Sequence, residues 1–411
     1  MQTNILDWLE ATSARCPDAP AVGDDQTDCT WAQLADTARR AGSFLASRTM
    51  PRRPVAFYLE KSVSAFAAML DTRQPAARTL QVLDTLTPAF LVTDEAHAAA
   101  AAALGYSGQI IRLDDLLAAP ADAALLANRR RQAVDVDPLY INFTSGSTGV
   151  PKGVTVSHRS VLDFIPQFAE IFGITQNDIL GNQAPFDFDV SVKDLYTALY
   201  TGAKVQIIPR AYFSQPTKLM DYLADHEVTI LVWAVSAMCF VSIMNGFSYR
   251  IPSRVRQVLF SGEVMPIKHL MKWKSALPHA RFVNLYGPTE ITCNCTYAIL
   301  PDRDFAPDEA LPIGRAFPNE KVFLLDENDV LVTVPGQAGE ICVSGTALAL
   351  GYYADPVRTA QAFTQNPLNT NWYERIYRTG DLARYDESGS LYYIGRRDFQ
   401  IKHMGHRVEL G

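Results

Sequence analysis

From Leu139 onward the chain alternates short apolar runs with longer amphipathic segments. LYINF (139–143), AKVQIIP (203–209), TILVWAV (229–235), VRQVLFSG (255–262) and ARFVNLYG (280–287) have the length and branched or aromatic content of buried strands. Between them, VSVKDLYTALYT (190–201), TKLMDYLADHE (217–227) and IKHLMKWKSAL (267–277) place apolar residues at helical spacing, the first closed by Gly202. SVLDFIPQFAEIF (160–172) reads as a helix broken or started by Pro166. Buried strands alternating with helices predict an α/β fold with a doubly wound, mainly parallel sheet covered on both faces. The first ~130 residues have a helical, alanine-rich texture, as in AFAAML and AHAAAAAALG. Beyond Leu311, KVFLLDENDVLV, GEICVSG and GSLYYIGRRDFQIK look like the hairpins of a smaller β-rich subdomain.

Composition narrows the function classes. At 411 residues, 48% hydrophobic and 20% charged, the chain reads as a soluble globular protein of two or three subdomains. A net charge of −7 argues against nucleic acid or an anionic membrane as partner. No apolar run reaches the roughly 20 residues of a membrane helix, and the N-terminus lacks the basic-then-apolar order of a signal peptide. Cysteines stand at 16, 29, 239, 293, 295 and 342 with no CxxC pair and no His beside Cys293 and Cys295. They read as incidental thiols in a reducing, cytoplasmic setting rather than as a metal site. The cluster Arg129-Arg130-Arg131 reads as a solvated helix end or loop.

Four stretches carry chemistry. NFTSGSTGVPKG (142–153) follows a predicted strand. Glycines turn backbone N–H groups toward an anion, hydroxyls add donors and Lys152 adds charge, so the loop suits a polyphosphate; a flexible Ser/Gly turn is the plainer reading. It departs from the GxxxxGK[ST] loop because Lys152 is followed by Gly153, which weakens a kinase or P-loop NTPase reading. In NLYGPTEIT (284–292), Tyr286-Gly287-Pro288 turns sharply off a strand end, where α/β proteins bind ligands, and presents Thr289 and Glu290. A carboxylate facing nucleotide phosphates commonly serves Mg²⁺; alone it would read as a solvated Glu. In YRTGDLARYDESG (377–389), Asp381 is placed either to accept from ribose hydroxyls or simply to shape a turn. GRRDFQIK (395–402) is unusually polar for strand-like alternation.

TSGSTGVPKG, YGPTE, YRTGD and GRRDFQIK occur in an order and spacing that resembles the adenylate-forming superfamily of acyl- and aryl-CoA ligases, luciferases and nonribosomal peptide synthetase adenylation domains. TWAQLA (30–35), FDFDVSVKD (186–194) and GEICVSGTALALGYYADPVRTAQAF (339–363) extend the resemblance over nearly the whole chain, which looks most like amino-acid adenylation domains and D-alanine–carrier-protein ligases. The resemblance implies paired α/β subdomains over residues 1–310, a β-barrel-like subdomain over 311–397, and from 398 to 411 a hinge, with Asp398 or Lys402 at the swivel. The small C-terminal lid subdomain of the family would then be missing.

For the site, the resemblance implies that Thr144, Ser145, Gly146, Ser147, Thr148, Gly149 and Lys152 hold the ATP phosphates, Thr289 touches the α-phosphate and Glu290 holds Mg²⁺. Asp381 would bind the ribose, with Arg396 on the ribose or phosphate side. Tyr286 would stack on adenine, bordered by Ser261, Gly262 and Glu263, with Asn284 and Gly287 completing the nucleotide site. Thr144, Lys152, Thr289, Glu290 and Arg396 would be the catalytic groups. The product would be an acyl-adenylate, then attacked by the phosphopantetheine thiol of a carrier protein. Asp189 would pair with a substrate ammonium, although an aspartate there also suits a helix N-cap. The side-chain pocket would comprise Val190, Lys193, Val232, Leu259, Ser261, Leu285, Cys293 and Asn294, with Asp187 and Asp194 outside it. Bulky Leu259 and Leu285 favour a small amino acid such as alanine or serine, or a β-amino acid. Lys193 either holds a side-chain carboxylate or lets its ammonium find solvent. The alternatives are an acyl- or aryl-CoA ligase and a nucleotide-binding module without catalysis.

One departure is internal. AFAAML runs directly into DTRQPAARTLQVLDTLTP, where relatives carry roughly a dozen more residues including a strand, so a missing piece is expected after Leu70.

Overall fold

The computed structural model describes residues 2–67, 76–144, 151–397, 400–403 and 406–409. The expected gap after Leu70 lies outside the described residues. Among those residues the largest sheet has nine strands. Six run parallel, in the spatial order Arg281–Tyr286, Gln257–Ser261, Ile230–Ala234, Ile179–Asn182, Lys204–Ile207 and Pro20–Gly23. Antiparallel strands flank them: Thr296–Ile299 and Arg315–Ala316 on one side, Asp28–Thr30 on the other.

Both faces of this sheet are covered, as its unbroken apolar strands require. Val232, Leu259 and Leu285 face one core with the helices His158–Phe172 and Val190–Thr201. Leu231, Trp233, Val258 and Phe260 face a second core with the helices Pro216–Asp225, Val235–Ile243 and Ile267–Ala276. The helix Val190–Thr201 is enclosed, with every residue from Val190 to Leu199 buried, and ends on Gly202 at φ 87°. Its wrapping explains why Lys193 and Asp194 lie in the interior.

Three expectations need correction. The alanine-rich N-terminal part is not only helical: Ala56–Tyr58, Phe90–Thr93 and Gln109–Arg112 form a parallel three-stranded sheet. Four-residue apolar runs such as FLVT are masked there by flanking alanines. Second, Pro166 neither breaks nor starts a helix. The helix begins at His158, capped by Ser157, and runs through the proline. Its buried face of Val161, Phe164, Ile165, Phe168 and Phe172 outweighs the roughly 3 kcal/mol a mid-helix proline costs. Third, LYINF does not join the parallel sheet. The strand Pro138–Thr144 pairs antiparallel with Lys152–Ser157, which in turn pairs with Gly351–Tyr352. The connection is too short for a parallel crossover.

Beyond residue 317 a five-stranded antiparallel sheet takes over, built from Glu320–Leu325, Gly339–Gly345, Arg375–Tyr385, Phe363–Gln365 and Leu391–Arg396. KVFLLDENDVLV is not itself a full hairpin: its strand pairs with Gly339–Gly345 and closes on Leu331 through one bridge. Gln400–His403 pairs with His406–Glu409 as a separate ribbon. Among the described residues no helix is long and apolar enough to cross a membrane.

Candidate active site

Lys152 and Glu290 meet in the interior, Nζ to Oε1 at 2.7 Å, with 8% and 1% of their side chains exposed. The Tyr352 hydroxyl donates to the same Oε1 (2.8 Å) and accepts from Lys152 (3.1 Å), and the ammonium lies 4.6 Å from the ring centre. Two neighbouring strands and a turn supply the trio. Lys152 opens a strand whose first residue faces Thr144, and Tyr352 lies on the adjacent strand of the same small sheet, opposite Val154. Glu290 comes from a 3₁₀ turn, Thr289–Ile291, at the end of Arg281–Tyr286. That turn folds back so tightly that a Cβ on Gly287 would sit 2.5 Å from the Asn294 Cα, so only glycine fits. Thr292 and Cys293 follow at φ 52° and 77°, and the segment is tied down by Thr292 Oγ1 donating to the Ala347 carbonyl and Ala349 N–H donating to the Glu290 carbonyl. Burial, then the Glu290 charge, drives the Tyr352 phenol far above its ordinary range, keeping it a neutral donor.

Thr144 ends its strand with a buried Oγ1 that has no partner among the described residues. Ser145, Gly146, Ser147, Thr148 and Gly149 lie outside the described residues, as do Asp398 and the Lys402 side chain. Thr289 is half-buried at the start of the Glu290 turn.

A second cluster surrounds Asp381. One carboxylate oxygen accepts from the Tyr286 hydroxyl and the other from Arg396 Nη1, both at 2.6 Å. Asp381 and Arg396 are cross-strand partners, and Gly380 supplies the positive φ, 72°, on which the strand turns to aim Asp381. Burial, then the Asp381 charge, pushes the Tyr286 phenol well up. Of the residues expected near adenine, Ser261 is buried at a strand end, with Gly262 (φ 99°) and Glu263 half-buried after it. Asn284 donates its amide to the Pro312 carbonyl (2.8 Å), a structural bond.

The residues expected to line a side-chain pocket are all buried. Asp189 is the N-cap residue of Val190–Thr201, yet its side chain makes no capping bond. Cys293 Sγ donates to the Asp189 carbonyl (2.8 Å), and burial pushes that thiol far up. Val190, Val232, Leu259, Leu285 and Cys293 belong to one buried cluster. Lys193 has no exposed surface and donates to Asn294 Oδ1 at 2.6 Å, so its ammonium does not reach solvent. Asp194 accepts from Asn182 Nδ2 (2.9 Å), and burial raises its carboxyl to about 7. Lys61 reaches the Asn182 and Gln183 carbonyls.

Sequence reading missed Tyr352 and Tyr140. Tyr352 sits in GYYADP, where its 200-residue separation from Lys152 hides the contact. Tyr140 is buried beside Cys293 and Asp189; its only signal was a polar-tipped ring inside a strand. Among the described residues no group of acids, His and Cys forms a closed metal site. The donor set does suit a nucleotide with one hard cation: an ammonium, a buried hydroxyl and a single carboxylate at a turn.

A model of the family described as AMP-binding enzyme matches residues 9–353. The chain belongs to that family. It is similar over 99% of its length to tyrocidine synthase 1 of Brevibacillus parabrevis (29% identity, 37% of that protein). It is also similar over its full length to the D-alanine–D-alanyl carrier protein ligase of Lacticaseibacillus casei strain BL23, at 31% identity and over 81% of that protein. The solved structure of IdnL1 superposes with TM-score 0.83 at 29% identity, covering 99% of this chain and 85% of the other. The AMPPNP-bound form of the nonribosomal peptide synthetase FmoA3 gives 0.85 at 26% identity, with 97% and 43% covered. The chain thus spans well under half of the multidomain relatives and most of the carrier-protein ligases.

Proposed function

We propose that this chain activates an amino acid with ATP as an aminoacyl-adenylate, releasing pyrophosphate, and passes the aminoacyl group to the phosphopantetheine thiol of a carrier protein. A carboxylate is already ionised at neutral pH, so the site's work is placing it in line with the α-phosphorus and neutralising the leaving pyrophosphate. Lys152, Thr144 and the Ser145–Gly149 loop would bind the phosphates, and Thr289 the α-phosphate. Glu290 would hold Mg²⁺, which neutralises phosphate charge when bound. Asp381 would orient the ribose, with Arg396 and Tyr286 holding its carboxylate.

The observation that carries the amino-acid reading is Asp189: an interior carboxylate at a helix N-terminus that its side chain does not cap. A substrate ammonium brought against that carboxylate would form an interior ion pair. Leu259 and Leu285 support a small or β-amino acid. A second reading is favoured by Lys193, whose complete burial removes the solvent-seeking alternative: a substrate whose side chain ends in a carboxylate or other acceptor. Free thiols at all six cysteines support a reducing, cytoplasmic setting. The names of the carrier-protein ligases support the acceptor.

Intact-protein mass spectrometry tests the transfer. With ATP, Mg²⁺ and the amino acid, a holo carrier protein should gain the aminoacyl mass and its apo form should not. Product appearing only on free coenzyme A would instead support the acyl- or aryl-CoA ligase.

A further inference from the structure

Glu340 stands on no motif to which the sequence assigned chemistry, yet its carboxylate is a junction between the two strands that present Asp381 and Arg396. It is 5% exposed. Oε2 accepts from Arg378 Nε (3.0 Å) and Nη2 (2.8 Å) and from Arg397 Nη1 (3.0 Å), while Oε1 accepts from the Gly380 N–H (3.0 Å).

The pairing register explains why a side chain is needed there. Glu340 faces Leu382 and Cys342 faces Arg378, so one residue on the first strand opposes three, Thr379 to Asp381, on the second. The bulge takes Asp381 out of register with the Gly339–Gly345 strand, while it still faces Arg396 on the other side, and leaves Gly380 N–H to a side-chain acceptor. Glu340 Oε1 is that acceptor. Thr379 is fixed by donating to the Ile341 carbonyl (2.8 Å) while accepting from Asp381 N–H (3.0 Å). Arg397 N–H donates to the Gly380 carbonyl (2.9 Å), so Glu340 holds Arg397 by its side chain at the same point where Gly380 holds it by backbone.

We propose that Glu340 is a positioning residue for nucleotide selection: it locks the Thr379–Asp381 bulge so that Asp381 is aimed at the ribose hydroxyls. The inference rests on the proposed role of Asp381. Its charge matters as well as its shape, because two arginines converge on one oxygen, and Arg378 is held further up by Asp329 at 2.7 Å. A neutral amide would keep the size but lose most of that attraction.

The test compares binding of ATP, 3′-deoxy-ATP and tripolyphosphate to the full-length enzyme, its Glu340→Gln and Glu340→Asp variants and Asp381→Asn. The wild type should prefer ATP over 3′-deoxy-ATP about tenfold or more, and Asp381→Asn should abolish the preference. Glu340→Gln should cut the preference several-fold and leave tripolyphosphate affinity unchanged, with Glu340→Asp partly restoring it. A general structural defect would weaken tripolyphosphate as well, and that outcome, or an intact preference in Glu340→Gln, overturns the proposal. A wild type with no preference for the 3′-hydroxyl overturns the ribose reading of Asp381 instead. Should Glu340→Gln fail to fold, Arg397→Met, at a half-exposed side chain, removes one arm of the junction and should lower the preference in the same direction.

Discussion

Lys152 and Glu290 hold each other in the interior at 2.7 Å, although one is expected to grip phosphate and the other Mg²⁺. The pair therefore sets two opposite charges against each other in the interior. Removing one partner takes the opposite charge away from the other and leaves the neutral Tyr352 hydroxyl beside it. Glu290→Gln should lower stability by about 3 kcal/mol, and Lys152→Met by a similar amount. The double variant should lose clearly less than the sum, since the two residues touch. Urea unfolding of the four proteins measures this; strict additivity would contradict the pairing.

Asp381 binds Tyr286 and Arg396 through different oxygens, so the two neighbours act on one carboxylate. Tyr286→Phe removes a neutral donor and should raise the KM for ATP by about three- to tenfold. Asp381→Asn should raise it by about tenfold or more, with the amino-acid KM little changed. Titrating each substrate in the presence of saturating partner separates the two.

Lys193 donates to Asn294 Oδ1 at 2.6 Å, and both residues are proposed to line the substrate pocket. If the substrate's side chain carries an acceptor, Lys193→Met should lower kcat/KM for it by about a hundredfold and raise that for alanine. If the substrate is small and apolar, the variant should leave kcat/KM within a few-fold. A competition assay over a panel of amino acids reads both.

Asp194 gives a pH signature. Its folded carboxyl titrates near 7, above the ordinary 3.8, because burial disfavours the anion. The folded state then binds more protons than the unfolded one between those values, so its contribution is present at low pH and is lost as pH rises toward 7. Glu320, raised to about 8, acts in the same direction, and His158, lowered to about 4 by burial, in the opposite one. The difference between wild type and Asp194→Asn cancels those two. From pH 5 to pH 8 the wild type should lose of order 2 kcal/mol relative to the variant. A flat difference would show that Asp194 is ionised throughout.

The parallel core was legible in the chain because its strands are continuous apolar runs separated by amphipathic helices, and TILVWAV and VRQVLFSG fell where expected. The N-terminal strands were not, since four-residue runs amid alanine carry little periodicity. Local motifs named Lys152, Glu290, Asp381 and Asp189, all of which sit beside turns or caps with their own sequence marks. Tyr352 and Glu340 were invisible as site residues because what makes them matter is register: one pairs across 200 residues, the other fills a bulge whose existence no single strand reveals.

If Asp189 receives a substrate ammonium, ATP–pyrophosphate exchange will depend on an amino acid and on that carboxylate together. The panel would hold both alanine enantiomers, serine, glutamate, β-alanine, benzoate and octanoate, with wild type, Asp189→Ala and Asp381→Asn. Exchange that requires an amino acid and disappears in Asp189→Ala, while that variant still binds ATP, is the predicted result. Exchange driven by benzoate or octanoate and indifferent to Asp189 would contradict it.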